Sequence, residues 1–151
     1  MEILTRELVA FPMEAQTKME ALSLLSDALW REKRISSKEL FMEDVLKREK
    51  EFTTGFGGGF AIPHGKSDAV LTPSIAVGRS SHPLDWDAMD EKPVFLVFLL
   101  AVPESHAADT HLRILAKLAE NLMDDEIRED LLALESSETL YHYISQILGG
   151  I

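Results

Sequence analysis

The chain contains no cysteine, which removes disulfides, thiolate metal sites and cysteine nucleophiles together. Its longest uninterrupted apolar run, Val94 to Val102, is nine residues, against the ~20 that a membrane-spanning helix requires. Positive charge is scarce: 15 Lys plus Arg stand against 26 Asp plus Glu, a formal charge of −11. A nucleic-acid binder needs clustered cations to neutralise phosphates, and a protein held by charge on anionic lipid needs the same. The first residues, Met1-Glu2-Ile3-Leu4-Thr5-Arg6-Glu7, hold no basic stretch leading into an apolar one, so no signal peptide is expected. What is present, 46% hydrophobic and 27% charged residues over 151 positions, suits a globular chain long enough to bury a core. The expectation is a single cytoplasmic domain, residues 1–151, with no repeat or linker dividing it.

Thr17-x-x-Glu20 and Ser36-x-x-Glu39 each have the spacing of a capping box, in which two side chains satisfy otherwise orphaned helix amides. After the first, Ala21, Leu22, Leu25, Ala28 and Leu29 recur at helical spacing as far as about Arg34; after the second, Leu40, Phe41 and Val45 form a shorter stripe. Phe60-Ala61-Ile62, Ser74 to Gly78 and Val94 to Leu100 read as strands. The last, β-branched and aromatic without a polar break, predicts a central strand covered on both faces. Three further apolar stripes, Leu112-Leu115-Leu118-Ala119-Leu122, Ile127-Leu131-Leu134 and Leu140-Tyr143-Ile144-Ile147, make the C-terminal third helical. Helices, then strands, then helices predict an α/β fold: a three-layer α/β/α sandwich on a mixed β-sheet.

Between the second helix and the first of these strands, Gly55, Gly57, Gly58 and Gly59 place four glycines in five positions, which no helix tolerates. The loop continues Phe60-Ala61-Ile62-Pro63-His64-Gly65-Lys66-Ser67. Gly65-Lys66-Ser67 matches the end of a phosphate-binding loop, but the glycine required five residues earlier is Phe60, and Pro63 removes an amide from the cradle. The dinucleotide pattern fails at Phe60 or Ile62, and a nucleophile elbow lacks its closing glycine. A hydrolase built on Ser67 with His64 and Asp68 is a weak alternative, because residues so close in sequence rarely form a triad. The remaining feature is His64 itself, flanked by Pro63 and Gly65 and expected at a surface edge just after a strand. It is either an ordinary loop histidine or a nucleophile available in neutral form near pH 7. His111 follows Asp109 and Thr110, either of which could cap a helix. A ring in the first turn would then face the positive end of the helix dipole, where anions are favoured. His82, His106 and His142 carry no pattern, and the five-residue spacing of His106 and His111 does not suit a metal site; no metal and no cofactor are expected.

Thr54 to Lys66 resembles the active-site loop of the fructose/mannitol-type (type 2) enzyme IIA, the phosphohistidine carriers of the bacterial phosphoenolpyruvate-dependent sugar phosphotransferase system. Lys47-Arg48-Glu49, Leu84-Asp85-Trp86, Lys92 to Pro103 and His111 to Ala119 are similar to the same family, so the resemblance spans roughly residues 4 to 148. The Ala-Ile-Pro-His-Gly core is its most specific part. Departures are Phe56 and Phe60 for isoleucine or valine, Gly58 for a frequent asparagine, and Glu91 for a common glycine.

The resemblance implies that His64 accepts a phosphoryl group from phospho-HPr and passes it to a cysteine of enzyme IIB. It implies that His111 orients the group and Arg48 offsets its charge. Such a transfer needs alignment and stabilised oxygens, not a metal or nucleotide. The stretch Gly65 to Val70 followed by Pro73 to Ala76 looks closest to fructose-type members, which makes a sugar-uptake component the expectation. The alternative is a regulatory enzyme IIA of the nitrogen-related branch, acting through phosphorylation-dependent partner binding; a non-catalytic regulator with His64 unphosphorylated is a further rival. HPr and enzyme IIB must dock over one histidine, so the rim of the site is expected to be apolar, with Phe56 and Phe60 as candidates.

Overall fold

The structure is a computed structural model describing residues 2–104 and 107–149; the side chains at 107, 108, 110 and 111 also lie outside that description. After a short 3-10 turn (Arg6–Leu8), the order is β1 (Val9–Met13), α1 (Lys18–Arg31), α2 (Lys38–Glu51), β2 (Gly55–Gly57), β3 (Phe60–Ala61), β4 (His64–Ser67), β5 (Ser74–Leu84), β6 (Val94–Pro103), α3 (Ala107–Leu122), α4 (Asp125–Ala133) and α5 (Ser137–Ile147). The sheet is mixed, in the order β1-β5-β6-β3-β2, with β4 also paired to β6. Helices α1 and α2 pack on one another and on the sheet, while α3 and α5 contact each other and reach β6 and β1. This is the α/β/α sandwich on a mixed sheet that the hydrophobic pattern predicts.

Strand β6 is the spine. From Leu96 to Val102 every side chain is at most 1% exposed, as a strand covered by helices on both faces requires. Strands β3 and β4 lie end to end along the same side of β6. Phe60 pairs with Leu96 and His64 with Leu100, an offset of 36 residues in both cases (96 − 60 and 100 − 64). The register therefore runs unbroken through Ile62 and Pro63. Pro63 cannot donate to the ladder, but its carbonyl still accepts from the Leu100 amide at 2.9 Å.

Local signals differ from the sequence reading at several points. Thr17 caps α1, its hydroxyl accepting from the Glu20 amide, as its box predicts. The cap of α2 is Ser37, not Ser36: its hydroxyl accepts from the Leu40 amide, while Ser36 is taken up by backbone and side-chain bonds to the Ala69 carbonyl. Helix α1 stops at Arg31, where Lys33 turns to a positive φ of 58°. Helix α3 begins at Ala107, so neither Asp109 nor Thr110 is its cap. Its buried stripe is Ile114, Leu118 and Leu122; Leu112, assigned to the stripe from spacing alone, is 63% exposed. No helix among the described residues is long and apolar enough to cross a membrane.

Candidate functional site

His64 opens β4 and is half-buried. It lies within the sheet alongside Leu100, where sequence reasoning expected it at an exposed edge after a strand. Two features place it. The turn Gly57-Gly58-Gly59 has φ values of 109°, 66° and 93°, conformations that side chains with a Cβ rarely adopt, and it reverses the chain from β2 into β3. The Asp90 carboxylate holds the tip, accepting from the Gly58 amide at 2.9 Å and the Lys92 amide at 3.1 Å. These bonds keep the Asp90 carboxyl below the usual carboxylate range. The second feature is Gly65. A Cβ there would stand 2.7 Å from Val45 Cγ2 and 2.9 Å from Phe41 Cε1. Glycine thus lets α2 lie against β4 beside the histidine.

That contact determines which residues accompany His64. On α2, Phe41 and Val45 face the strand, and the next helical turn carries Arg48 and Glu49 to the histidine. Both charges act on the ring. Burial and Arg48 lower the pKa of His64 from the ordinary imidazole value of 6.5, while its bond to the Ile62 carbonyl and the charge of Glu49 act in the other direction; burial dominates. His64 Nδ1 lies 3.1 Å from the Ile62 carbonyl oxygen. A carbonyl can only accept, so Nδ1 carries the proton and Nε2 the lone pair in the neutral ring. Arg48 Nη1 donates to the Phe52 carbonyl at 2.8 Å, which also closes the C-terminal end of α2.

The expectation for His111 falls largely outside the described residues. Its backbone is the fifth residue of α3, and nothing of its side chain is described. Because the helix begins earlier than the capping argument assumed, His111 is not in the first turn. Of the two aromatic rim candidates, Phe56 is half-buried, but Phe60 is fully buried. Its ring stacks on Phe98 with centroids 6.3 Å apart, so Phe60 belongs to the core. Two other apolar side chains are exposed: Phe52, 58% exposed, whose carbonyl accepts from Arg48, and Met89, 63% exposed, which donates its amide to the Gly55 carbonyl.

Sequence reasoning missed the cluster beneath the loop. Glu49, its side chain only 5% exposed, pairs with Lys18 Nζ at 2.6 Å and accepts from the hydroxyl and, at 3.4 Å, the amide of Thr54. The Thr54 hydroxyl accepts from Trp86 Nε1 at 3.2 Å, and Lys18 Nζ lies 5.1 Å from the Trp86 ring centroid. The only available signal was that Glu49, Thr54 and Trp86 all lie within the stretches that carry the family resemblance. Among the described residues no three His, Asp or Glu side chains converge as a metal site requires.

The family described as "Phosphoenolpyruvate-dependent sugar phosphotransferase system, EIIA 2" matches residues 2–147. The chain belongs to it. This EIIA is accordingly a phosphotransferase of a family that acts through a phosphohistidine intermediate. The fructose-specific EIIA component of Haloferax volcanii is 38% identical over 142 residues, covering 94% of the chain and 92% of that protein. The nitrogen regulatory protein of Klebsiella oxytoca is 36% identical over 145 residues, covering 95% of the chain and 88% of that protein. The crystal structure of nitrogen regulatory protein IIA-Ntr from Neisseria meningitidis superposes with a TM-score of 0.85 at 36% identity, over 97% of the chain and 96% of that structure.

These relatives overturn the expectation that the EIIA is closest to fructose-type members. The solved structure it matches at 0.85 is of the nitrogen regulatory kind, and further nitrogen regulatory proteins are 34–35% identical over 95–99% of the chain. Residues 65–70 and 73–76 therefore do not mark the fructose type.

Proposed function

We propose that this EIIA is a regulatory phosphocarrier of the nitrogen-related branch, in which His64 accepts a phosphoryl group from an HPr-like donor and the phosphorylation state governs partner binding. The observation that carries the acceptor assignment is the Nδ1 contact of His64 with the Ile62 carbonyl, which directs the lone pair to Nε2. In the transfer, Nε2 attacks the phosphorus of the donor phosphohistidine in line. The new Nε2–P bond forms as the donor P–N bond breaks, and that bonding pair returns to the donor imidazole. The His64 ring becomes cationic with its proton still on Nδ1, and the Ile62 carbonyl accepts from it throughout. Burial, which lowers the His64 pKa, keeps the ring neutral and nucleophilic near pH 7. Arg48 is the cation suited to offset the phosphoryl oxygens, and His111 is proposed to orient them. Phe52 and Met89 supply apolar surface on which a donor and a later partner could dock in turn.

The regulatory reading is supported by the 36% identity and 0.85 superposition to IIA-Ntr. Competing phosphorylation tests it. The protein is offered the phosphorylated HPr-like proteins of the nitrogen and sugar branches of one bacterium, then an enzyme IIB thiol. Faster loading from the nitrogen-branch donor, with no drain to enzyme IIB, is the expected result. Rapid passage to an enzyme IIB cysteine would make it an uptake component.

A further inference from the structure

We infer that Glu49 is a positioning residue for phosphoryl transfer: through Thr54 and Ile62 it fixes which nitrogen of His64 reacts. The inference rests on the reading of His64 as the phosphoryl acceptor. The connection is continuous in the structure. Glu49 Oε1 accepts from the Thr54 hydroxyl and Oε2 from the Thr54 amide at 3.4 Å. The Thr54 carbonyl accepts from the Ile62 amide at 3.0 Å, and the Ile62 carbonyl faces His64 Nδ1 at 3.1 Å. The residue whose carbonyl selects the tautomer is thus tied by its own amide to a threonine that a buried carboxylate holds on two sides.

A buried carboxylate is costly unless it is paired and fully hydrogen-bonded. Glu49 meets that condition with Lys18, at 2.6 Å, and Thr54. Lys18 is the first residue of α1, Glu49 lies in the last turn of α2, and Trp86 follows β5. Three elements converge on Thr54, the residue before β2 and the glycine turn. A purely structural anchor needs no charge near the histidine, yet the Glu49 carboxylate raises the pKa of His64 while Arg48 lowers it. Arg48 suits the anionic phosphoryl group, while the Glu49 carboxylate, already paired with Lys18 at 2.6 Å, acts on the ring more weakly than burial, Ile62 or Arg48.

The test is ¹⁵N NMR of His64 in the unphosphorylated, full-length protein, followed by assignment of the phosphorylated nitrogen after loading. Wild type should show the Nδ1-protonated tautomer and phosphorylation at Nε2 alone. Glu49→Ala should give mixed tautomers, a detectable Nδ1-phosphohistidine fraction and transfer slowed by up to about 10², the scale of a misplaced reacting group. Glu49→Gln keeps an oxygen for Thr54 and should retain the tautomer, but lower the titration midpoint of His64 because the negative charge is gone. Thr54→Val removes the hydroxyl link without removing the carboxylate and should also mix the tautomers, which keeps the test available if Glu49→Ala does not fold. Wild-type tautomer populations in a folded Glu49→Ala or Thr54→Val protein would overturn the inference. A tautomer change in a protein that accepts no phosphoryl group from any donor would leave the positioning intact and remove the functional reading.

Discussion

Replacing Gly65 by alanine adds one methyl group at the most constrained point of the site. That carbon would lie 2.7 Å from Val45 Cγ2 and 2.9 Å from Phe41 Cε1, where carbon contacts are comfortable at ~3.5–4.0 Å. Both obstructing side chains are fully buried, so neither can swing into solvent, and α2 must retreat from β4 by roughly the shortfall, about 1 Å. Overpacking of this kind costs about 1–3 kcal/mol. For a chain of this size each kcal/mol lowers Tm by about 2–4 °C. The same retreat carries Arg48 and Glu49, one turn further along α2, away from His64. A misplacement near 1 Å costs transfer on the order of 10² in rate. Thermal denaturation and rapid-quench phosphorylation read the two effects. Val45→Ala removes the nearer obstruction, so the Gly65→Ala/Val45→Ala pair should be less destabilised than the sum of the single changes, with a coupling of about 1 kcal/mol. An unchanged Tm and transfer rate in Gly65→Ala, or strict additivity with Val45→Ala, would refute the close-approach argument.

Glu91 adopts a φ of 61°, a conformation that costs a residue with a Cβ about 1–2 kcal/mol. Glu91→Gly should raise stability by about 0.5–1 kcal/mol once the greater freedom of glycine in the unfolded chain is counted, visible as a higher urea midpoint; a lower midpoint would contradict it. Phe60→Ala should destabilise by about 3–5 kcal/mol because Phe60 is core. Phe52→Ala should leave Tm unchanged and weaken donor docking, seen as a raised KM; the reverse pattern would restore Phe60 to the rim. His64 should titrate below 6.5 by NMR, because burial disfavours its charged form. Acceptor activity should therefore persist as pH falls through 6.5 and fade only below it, and Arg48→Gln, which removes a repelling cation, should move the midpoint upward. A midpoint above 6.5 in wild type would count against a buried neutral nucleophile.

Much of the fold was legible because its strongest signals are local. Val94 to Leu100 is a short β-branched and aromatic run between Pro93 and Pro103, which favours a covered strand over a buried helix, and Thr17-x-x-Glu20 caps α1 as its spacing predicts. Strand β1 was not legible. Val9–Met13 is short, carries Pro12 and, among the described residues, pairs along one side only, with β5, so neither its composition nor its length separates it from a loop. Leu112 and Ile114 show the limit of periodicity. Both recur at helical spacing with their neighbours, and only packing against the sheet decides that Ile114 is buried and Leu112 exposed. At the site, Pro63-His64-Gly65 announced a constrained histidine, but the reason for Gly65 lies on α2, twenty residues earlier at Val45. Glu49 with Lys18 and Trp86 is likewise a three-dimensional cluster, whose members are 31 and 37 residues from Glu49 (49 − 18 and 86 − 49). The expectation of a fructose-type member rested on residues 65–70 and 73–76 alone, too short a stretch to outweigh likeness over the whole chain to nitrogen regulatory proteins.

The assignment of His64 as phosphoryl acceptor is decided by mass spectrometry under alkaline conditions, after incubation with phosphoenolpyruvate, enzyme I and an HPr-like donor. The expected result is one acid-labile phosphoryl group, mapped to His64 and absent from a folded His64→Gln protein. A phosphoryl group on any other residue, or one retained by His64→Gln, would contradict it.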